Sequence, residues 1–249
     1  MNKKNVLLTT VLSAALLPTA AGLAEAAIIQ TIDPLSTAQT TRRTQPNGTA
    51  TTSASVPGTI FSAGNITRRL SVTKQGGRGL GETIIPTTNF GAGIEVNNIS
   101  GVNSLVTISY GNPAANPTFA PVDLTVGGLA DRVSLGIILN EVGGTAVTPF
   151  SVTINGITVS KSLGFKDSTD PVLPLDFLFS DFTAINSAFN PTAVTSFKLV
   201  LDPPANGDIA ISFLGVGNAM TTPEPTALLG LLAVAGATAT MRKKQLHSK

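Results

Sequence analysis

The chain has no cysteine and no tryptophan, a single tyrosine, and a single histidine, His247, third from its end. Without cysteine there are no disulfide frameworks, thiolate metal sites or Cys nucleophiles. With its one histidine in the tail, the folded body cannot carry a Ser-His-Asp triad or a histidine-based zinc site. Charge is also scarce, at 12% of residues, about half the usual ~25% share. What is abundant is Thr, Ser and Asn, with 24 glycines and 16 prolines. This composition suits short strands joined by tight turns better than a helical protein.

The ends read as targeting segments. Lys3 and Lys4 precede an apolar stretch over 6–17, and Ala24, Glu25 and Ala26 form the small-x-small pattern of a signal-peptide cleavage site. The stretch is too short for a stable bilayer span, so residues 1–26 are expected to be a signal peptide and Ala27 the mature N-terminus. At the other end, Pro223, Glu224 and Pro225 come before an uncharged run rich in Leu, Ala and Gly over 226–241, which Arg242, Lys243 and Lys244 close. As a helix its 16 residues would cover about 24 Å at 1.5 Å per residue. That is short of the ~30 Å hydrocarbon core, so the flanks would have to snorkel. The basic cluster marks the cytoplasmic side and leaves the body outside.

This tail resembles the PEP-CTERM sorting signal of Gram-negative bacteria and cyanobacteria. Pro223, Glu224 and Pro225 match the recognition tripeptide, 226–241 the transmembrane helix, and Arg242, Lys243 and Lys244 the basic stop. The resemblance covers about 27 residues and no part of the body. It implies that a membrane-embedded exosortase recognises and processes the tail during export, often in organisms that make extracellular polysaccharide. A plain single-span anchor needs the same helix and stop but not the tripeptide. A GPI signal would end in its apolar stretch, and the Leu-Pro-x-Thr-Gly motif of a sortase substrate is absent.

The body, 27–219, alternates apolar and polar residues in short runs. Its fold is expected to be all-β: an antiparallel β-sandwich or jelly-roll ectodomain of eight to ten strands with one short helix. Asn155-Gly156 is the preferred type I′ pair, so 151–160 reads as a hairpin pairing Ile154 with Ile157, Val152 with Val159, Thr153 with Thr158 and Ser151 with Ser160. Val106, Ile108 and Tyr110 share one face, as do Val133, Leu135, Ile137 and Leu139, Phe197, Leu199 and Leu201, and Ile209, Ile211 and Phe213. Leu70 and Val72 alternate with Ser71 and Thr73, and weaker strands are expected around 122–126 and 175–179. Asp181 is expected to cap a helix carrying Phe182, Ile185 and Phe189 on one stripe, with Asn190-Pro191 stopping it. Ser, Thr, Gln, Ala and Pro fill seventeen of the 24 positions over 35–58, which reads as a flexible loop or tether.

Chemistry is thinly represented. Asp167 with Asp170, and Asp202 with Asp208, are loop carboxylates and weak calcium candidates, without the dense spacing of a calcium loop. Arg68, Arg69, Lys74 and Arg78 lie in one stretch that ends in Gly76-Gly77-Arg78-Gly79-Leu80-Gly81, which lacks the context of a P-loop or Rossmann turn. They read as a solvated strand and hairpin, with an acidic-polysaccharide site as the alternative. Glu82, Glu95 and Glu141 carry no recognisable motif and lie in glycine-rich or loop-like surroundings. Phe177 and Phe179 are expected in the core and not on a sugar-binding platform. Tyr110 is expected at a sandwich edge. Of the Asn-x-Ser/Thr sites, Asn47, Asn65 and Asn98, none carries weight in a bacterial host.

These readings favour an exported, non-enzymatic surface or matrix protein without a cofactor. A carbohydrate- or calcium-binding adhesion module and a carboxylate-based polysaccharide hydrolase are the alternatives. The overall +2 charge is misleading, because residues 27–222 hold ten Lys/Arg against twelve Asp/Glu. The exported part is mildly acidic, which argues against nucleic acid as a partner. The expected partners are signal peptidase, exosortase, the membrane and extracellular polysaccharide.

Overall fold

The computed structural model describes residues 26–43, 50–52, 56–57, 66–77, 81–85, 93–98, 101–111 and 118–219. They form strands in antiparallel sheets with one short helix. The elements in chain order are β1 (Ala26–Asp33), β2 (Gln39–Arg43), β3 (Ala50–Thr52), β4 (Val56–Pro57), β5 (Thr67–Gly76), β6 (Gly81–Ile85), β7 (Ile94–Asn98) and β8 (Asn103–Gly111). They continue with β9 (Arg132–Glu141), β10 (Thr148–Ile154), β11 (Ile157–Leu163), β12 (Leu173–Leu178), α1 (Phe179–Ile185), β13 (Phe197–Leu201) and β14 (Asp208–Ala219).

One sheet has the order β12-β9-β14-β7-β6-β2, with β1 also paired to β14. The other has the order β11-β10-β13-β8-β5-β3, with β4 paired to β5. The chain crosses between sheets at β2–β3, β5–β6, β7–β8, β8–β9, β9–β10, β11–β12, β12–β13 and β13–β14. Apolar side chains of both sheets meet in one buried cluster that includes Val96, Leu135 and Val216 from the first and Leu70, Ile108 and Leu199 from the second.

The β10–β11 hairpin has the register its turn demands: Ser151, Val152, Thr153 and Ile154 face Ser160, Val159, Thr158 and Ile157. Asn155 and Gly156 adopt φ +50° and +81°, the left-handed pair of a type I′ turn. Val152 and Ile154 are buried, while the hydroxyls meet on the other face, Ser151 with Ser160 at 2.7 Å and Thr153 with Thr158 at 2.8 Å.

Strict alternation fails in the middle of the β9–β14 ladder. The register steps from Ala210↔Leu139 to Ile211↔Ile137 and then to Phe213↔Gly136, skipping Ile138 and Ser212. Each extra residue is a bulge that turns the following side chains over. Leu139 is therefore only half-buried and Asn140 points inward, fully buried. Past the second bulge Leu214 and Val216 enter the core, and Phe213 lies outside it against Gly136, where any Cβ would collide with its ring.

Three further expectations change. The 35–58 stretch holds β2, β3 and β4, and Leu35 is fully buried. β2 and β3 are mostly polar and β4 is only two residues long, and they pair with β5 and β6, so no local apolar alternation announces them. Residues 122–126 form a turn with a single bridge from Val122 to Val194. The helix α1 begins at Phe179 with Leu178 as its cap and no side-chain cap bond, so Asp181 lies within its first turn. There Asp181 pairs with Lys161 of β11 at 3.4 Å. Ile185 ends α1 exposed, while Phe189 folds back beyond the helix and stacks on Phe182 at 5.1 Å.

Candidate functional site

Asp33, Arg68, Tyr110 and Gln39 form an enclosed polar group. Arg68 and Lys74 lie in phase with Ile66, Leu70 and Val72 on β5, so the strand's period of two turns both cations inward. This corrects the solvated reading for these two residues, whereas Arg69 on the opposite face is exposed. The fully buried guanidinium of Arg68 donates to Asp33 Oδ2 at 2.7 Å, to Gln39 Oε1 at 3.0 Å and to the Thr37 carbonyl at 2.5 Å. Gln39 returns a bond from its side-chain amide to the Arg68 carbonyl at 3.2 Å. Tyr110 donates its hydroxyl to Asp33 Oδ2 at 2.8 Å, and the Leu35 amide donates to Asp33 Oδ1 at 2.8 Å.

Tyr110 is thus an interior residue and not an edge tyrosine. Burial, followed by the Asp33 charge, pushes its hydroxyl well above the ordinary phenol value. A proton held that firmly is unsuited to acid-base exchange near neutral pH. The cluster ties β1 and β2 of one sheet to β5 and β8 of the other. Asp33 had a sequence signal, a lone carboxylate between an apolar strand and Pro34, and Arg68 shared the core phase of Leu70 and Val72.

A second enclosed group is neutral. Asn140 donates to the carbonyls of Leu163 at 3.0 Å and Gly164 at 2.7 Å, and accepts from the Thr148 hydroxyl at 2.8 Å. It too joins the sheets, from β9 to β10 and β11.

The four loop aspartates fall in two places. Asp167 accepts from the Thr169 amide and hydroxyl, which hold its carboxyl below the usual range. The carbonyls of Asp167 and Asp170, with that of Ile138, converge on Lys166 Nζ at 2.9, 3.3 and 2.7 Å. The ammonium sits where those carbonyls would meet a cation. Asp208 opens β14 and accepts the Asn98 amide at 2.7 Å. Its carboxyl is raised first by burial, with Glu141 and Glu95 adding to the rise and the Asn98 bond opposing it. Burial alone raises Asp202. Among the described residues, no three His, Asp or Glu side chains are placed to hold a metal ion.

Glu82, Glu95 and Glu141 lie in β6, β7 and β9 and not in loops, with the first two buried. Phe177 and Phe179 are buried in the core, as expected. Asn98 is buried and donates to the Gly207 carbonyl at 3.1 Å, so it offers no surface for a glycan. A shallow recess of about 170 Å³ lies on β8, β10 and β13, lined by residues that include Ser109, Thr153, Ser196 and Lys198.

The sorting residues Pro223, Glu224, Pro225, Arg242, Lys243 and Lys244, the 226–241 span, Ala24, Asn47 and Asn65 lie outside the described residues. Ala26 opens β1 and pairs with Ala219, the last residue of β14. No helix among the described residues is long and apolar enough to cross a membrane.

No family model and no curated protein matches the chain. A solved structure similar to it is the enzymatically active domain of Bacteriophage CBA120 tailspike protein 4, at 11% identity and a TM-score of 0.31. The match covers 75% of this chain but only 20% of the tailspike chain. Neither the activity nor the substrate of that protein transfers to this one.

Proposed function

We propose that the protein is an exported, non-enzymatic surface or extracellular-matrix protein, sorted by a PEP-CTERM-like tail that an exosortase processes. The supporting observation is the pairing of Ala26 with Ala219. The proposed cleavage point after the signal peptide and the start of the sorting tail leave the body side by side. A body attached at one end can be translocated, anchored and released without rearranging its sheets.

On this reading the fold is a jelly-roll ectodomain. Strands β7 to β14 follow the orders β12-β9-β14-β7 and β11-β10-β13-β8, which are those of an eight-stranded jelly roll. The earlier strands widen both sheets on the β7/β8 side. The non-enzymatic reading is supported by the hydroxyl of Tyr110 being spent on Asp33 and by the burial of Glu82 and Glu95.

The test is mass spectrometry of the protein's ends, after fractionation of the native host with and without a working exosortase. The expected product starts at Ala27 and lacks the 226–241 span when the exosortase is active. Recovery from the cytosol with residues 1–26 still attached would sink the reading.

A carbohydrate-binding role has one observation in its favour. On the outer face of the second sheet, Thr158, Thr153, Lys198 and Ser109 lie side by side across four strands. Such a row offers hydroxyl donors and a cation to extracellular polysaccharide. A glycan array with no binding, together with no melting shift in any glycan, would remove it.

A further inference from the structure

The turn between β8 and β9 is built with more constraint than a connection needs. Asp123 Oδ1 accepts the Thr125 amide at 2.8 Å and hydroxyl at 2.6 Å, and Asp123 Oδ2 accepts the Gly127 amide at 3.0 Å. Thr125 accepts the Gly128 amide on its hydroxyl at 3.0 Å and the Ala130 amide on its carbonyl at 2.8 Å. Val126, Gly127 and Gly128 stand at φ +51°, +69° and +87°. Positive φ is an outlier for a β-branched residue and strains the backbone. Leu124 is fully buried and Val126 packs against the core, so the turn is fixed from below.

The product of this strain is Leu129, 61% exposed between Gly128 and buried Ala130. An isolated exposed leucine is ordinary on a surface. A leucine held outward by a strained turn with this hydrogen-bond network is not, because a polar residue there would leave those bonds in place.

The turn lies beside the chain's exit. The Asp131 amide donates to the Gly217 carbonyl at 2.9 Å, and two residues later Ala219 pairs with Ala26. Six residues separate Ala219 from the apolar run at 226–241. Even fully extended, that link reaches only about 25 Å. Whatever holds the apolar run therefore lies close to this end of the body.

We propose that this end rests on the lipid surface, with Leu129 entering the interfacial layer. The inference deepens the sorting proposal and rests on its reading of 226–241 as a membrane segment. An aliphatic side chain on a fixed turn would orient the tethered body while the tail remains anchored, and would hold the Pro223–Pro225 segment near the bilayer where a membrane-embedded protease acts.

The absence of cysteine makes the test clean. Leu129→Cys and, separately, Val147→Cys are labelled with an environment-sensitive fluorophore in the full chain, reconstituted into phosphatidylcholine vesicles containing doxyl lipids. Val147 is the control because it is also an exposed aliphatic, at 47%. It lies beyond the opposite end of β9, roughly 30 Å away at 3.3 Å per residue. The expected result is several-fold stronger quenching at position 129 than at 147.

Equal quenching at the two positions, in protein that floats with the vesicles, overturns the inference and leaves the membrane tail standing. Failure to float removes the anchoring reading and this inference with it. Concentration-dependent shielding of position 129 without vesicles would assign the turn to a second copy of the chain and also overturn the proposal.

Discussion

Two enclosed polar groups join the sheets, and they do so with different chemistry. Asp33, Arg68 and Tyr110 bridge β1 to β5 and β8 with an ion pair whose side chains are at most 3% exposed. Five residues along β14, where Ile209 pairs with Asn140 and Leu214 with Asp33, Asn140 and Thr148 bridge β9 to β10 with neutral groups alone. Taking a charge out of water costs several kcal/mol per ion, which only the partner and extra hydrogen bonds offset. The charged bridge is therefore close to all-or-none, whereas the neutral bridge loses stability bond by bond.

The largest expected effect breaks the charged side. Asp33→Ala leaves the Arg68 guanidinium buried without its counter-charge and the Tyr110 hydroxyl without an acceptor. It is expected to cost about 3–5 kcal/mol, read from the denaturant midpoint. The double variant Asp33→Leu/Arg68→Met, which removes both charges and keeps apolar volume, should cost much less than the single one. If the double variant is as unstable as the single, burial of an unpaired charge is not what makes this bridge sensitive.

The neutral side should be gentler. Asn140→Ala leaves the carbonyls of Leu163 and Gly164 short of a donor and the Thr148 hydroxyl without its acceptor. A cost of about 1–3 kcal/mol is expected in the same assay. A loss equal to that of Asp33→Ala would erase the distinction between the two bridges.

The two bridges also differ in how far the sequence revealed them. Leu70 and Val72 fixed the inward phase of β5, and the same phase carries Arg68 and Lys74 into the interior. Their charge argued for solvent, and for Arg68 the compensating carboxylate lies 35 residues away at Asp33, on a strand with no local link to β5. Asn140 was hidden by a different cause. The bulge at Ile138 turns it inward, and bulges arise from how two strands fit, which a single strand's alternation does not encode. By contrast, Asn155-Gly156 fixed both turn and register of the β10–β11 hairpin because every contact involved lies within ten residues. The sorting residues were legible as a motif, and they lie outside the described part of the chain.

Titration sharpens the comparison further, because the carboxyls outside the bridges respond to acid in opposite senses. Burial raises Asp208, so the folded state binds its proton more tightly than the unfolded chain does. Its ionisation costs stability as pH rises from the ordinary carboxylate range, near 4, through the raised folded value. Acidification across that window recovers the loss. Asp123 is lowered, chiefly by the Thr125 hydroxyl. Its contribution is present above the ordinary value and disappears as pH falls through the lowered one. Asp208→Asn should therefore be as stable as the parent or more so at neutral pH, and lose that advantage on acidification. Asp123→Asn should be the less stable partner at neutral pH and converge with the parent in acid. Parallel urea titrations across this range check the signs, and the same sign for both variants would show that burial at Asp208 does not dominate its environment.

The smallest expected effect concerns a polar pair that bridges nothing. The hydroxyls of Thr153 and Thr158 meet at 2.8 Å on the exposed face of the β10–β11 hairpin, within a single sheet. Thr153→Val keeps the β-branched shape that suits a strand and removes only this bond. Both groups can turn to water, so no desolvated partner is stranded, and the cost should be a few tenths of a kcal/mol, at the low end of cross-strand pair energies of roughly 0.2–1 kcal/mol. A loss comparable to that of Asn140→Ala would mean that the hydroxyl row itself stiffens the sheet. Burial between sheets would then no longer be what separates costly polar contacts from cheap ones in this fold.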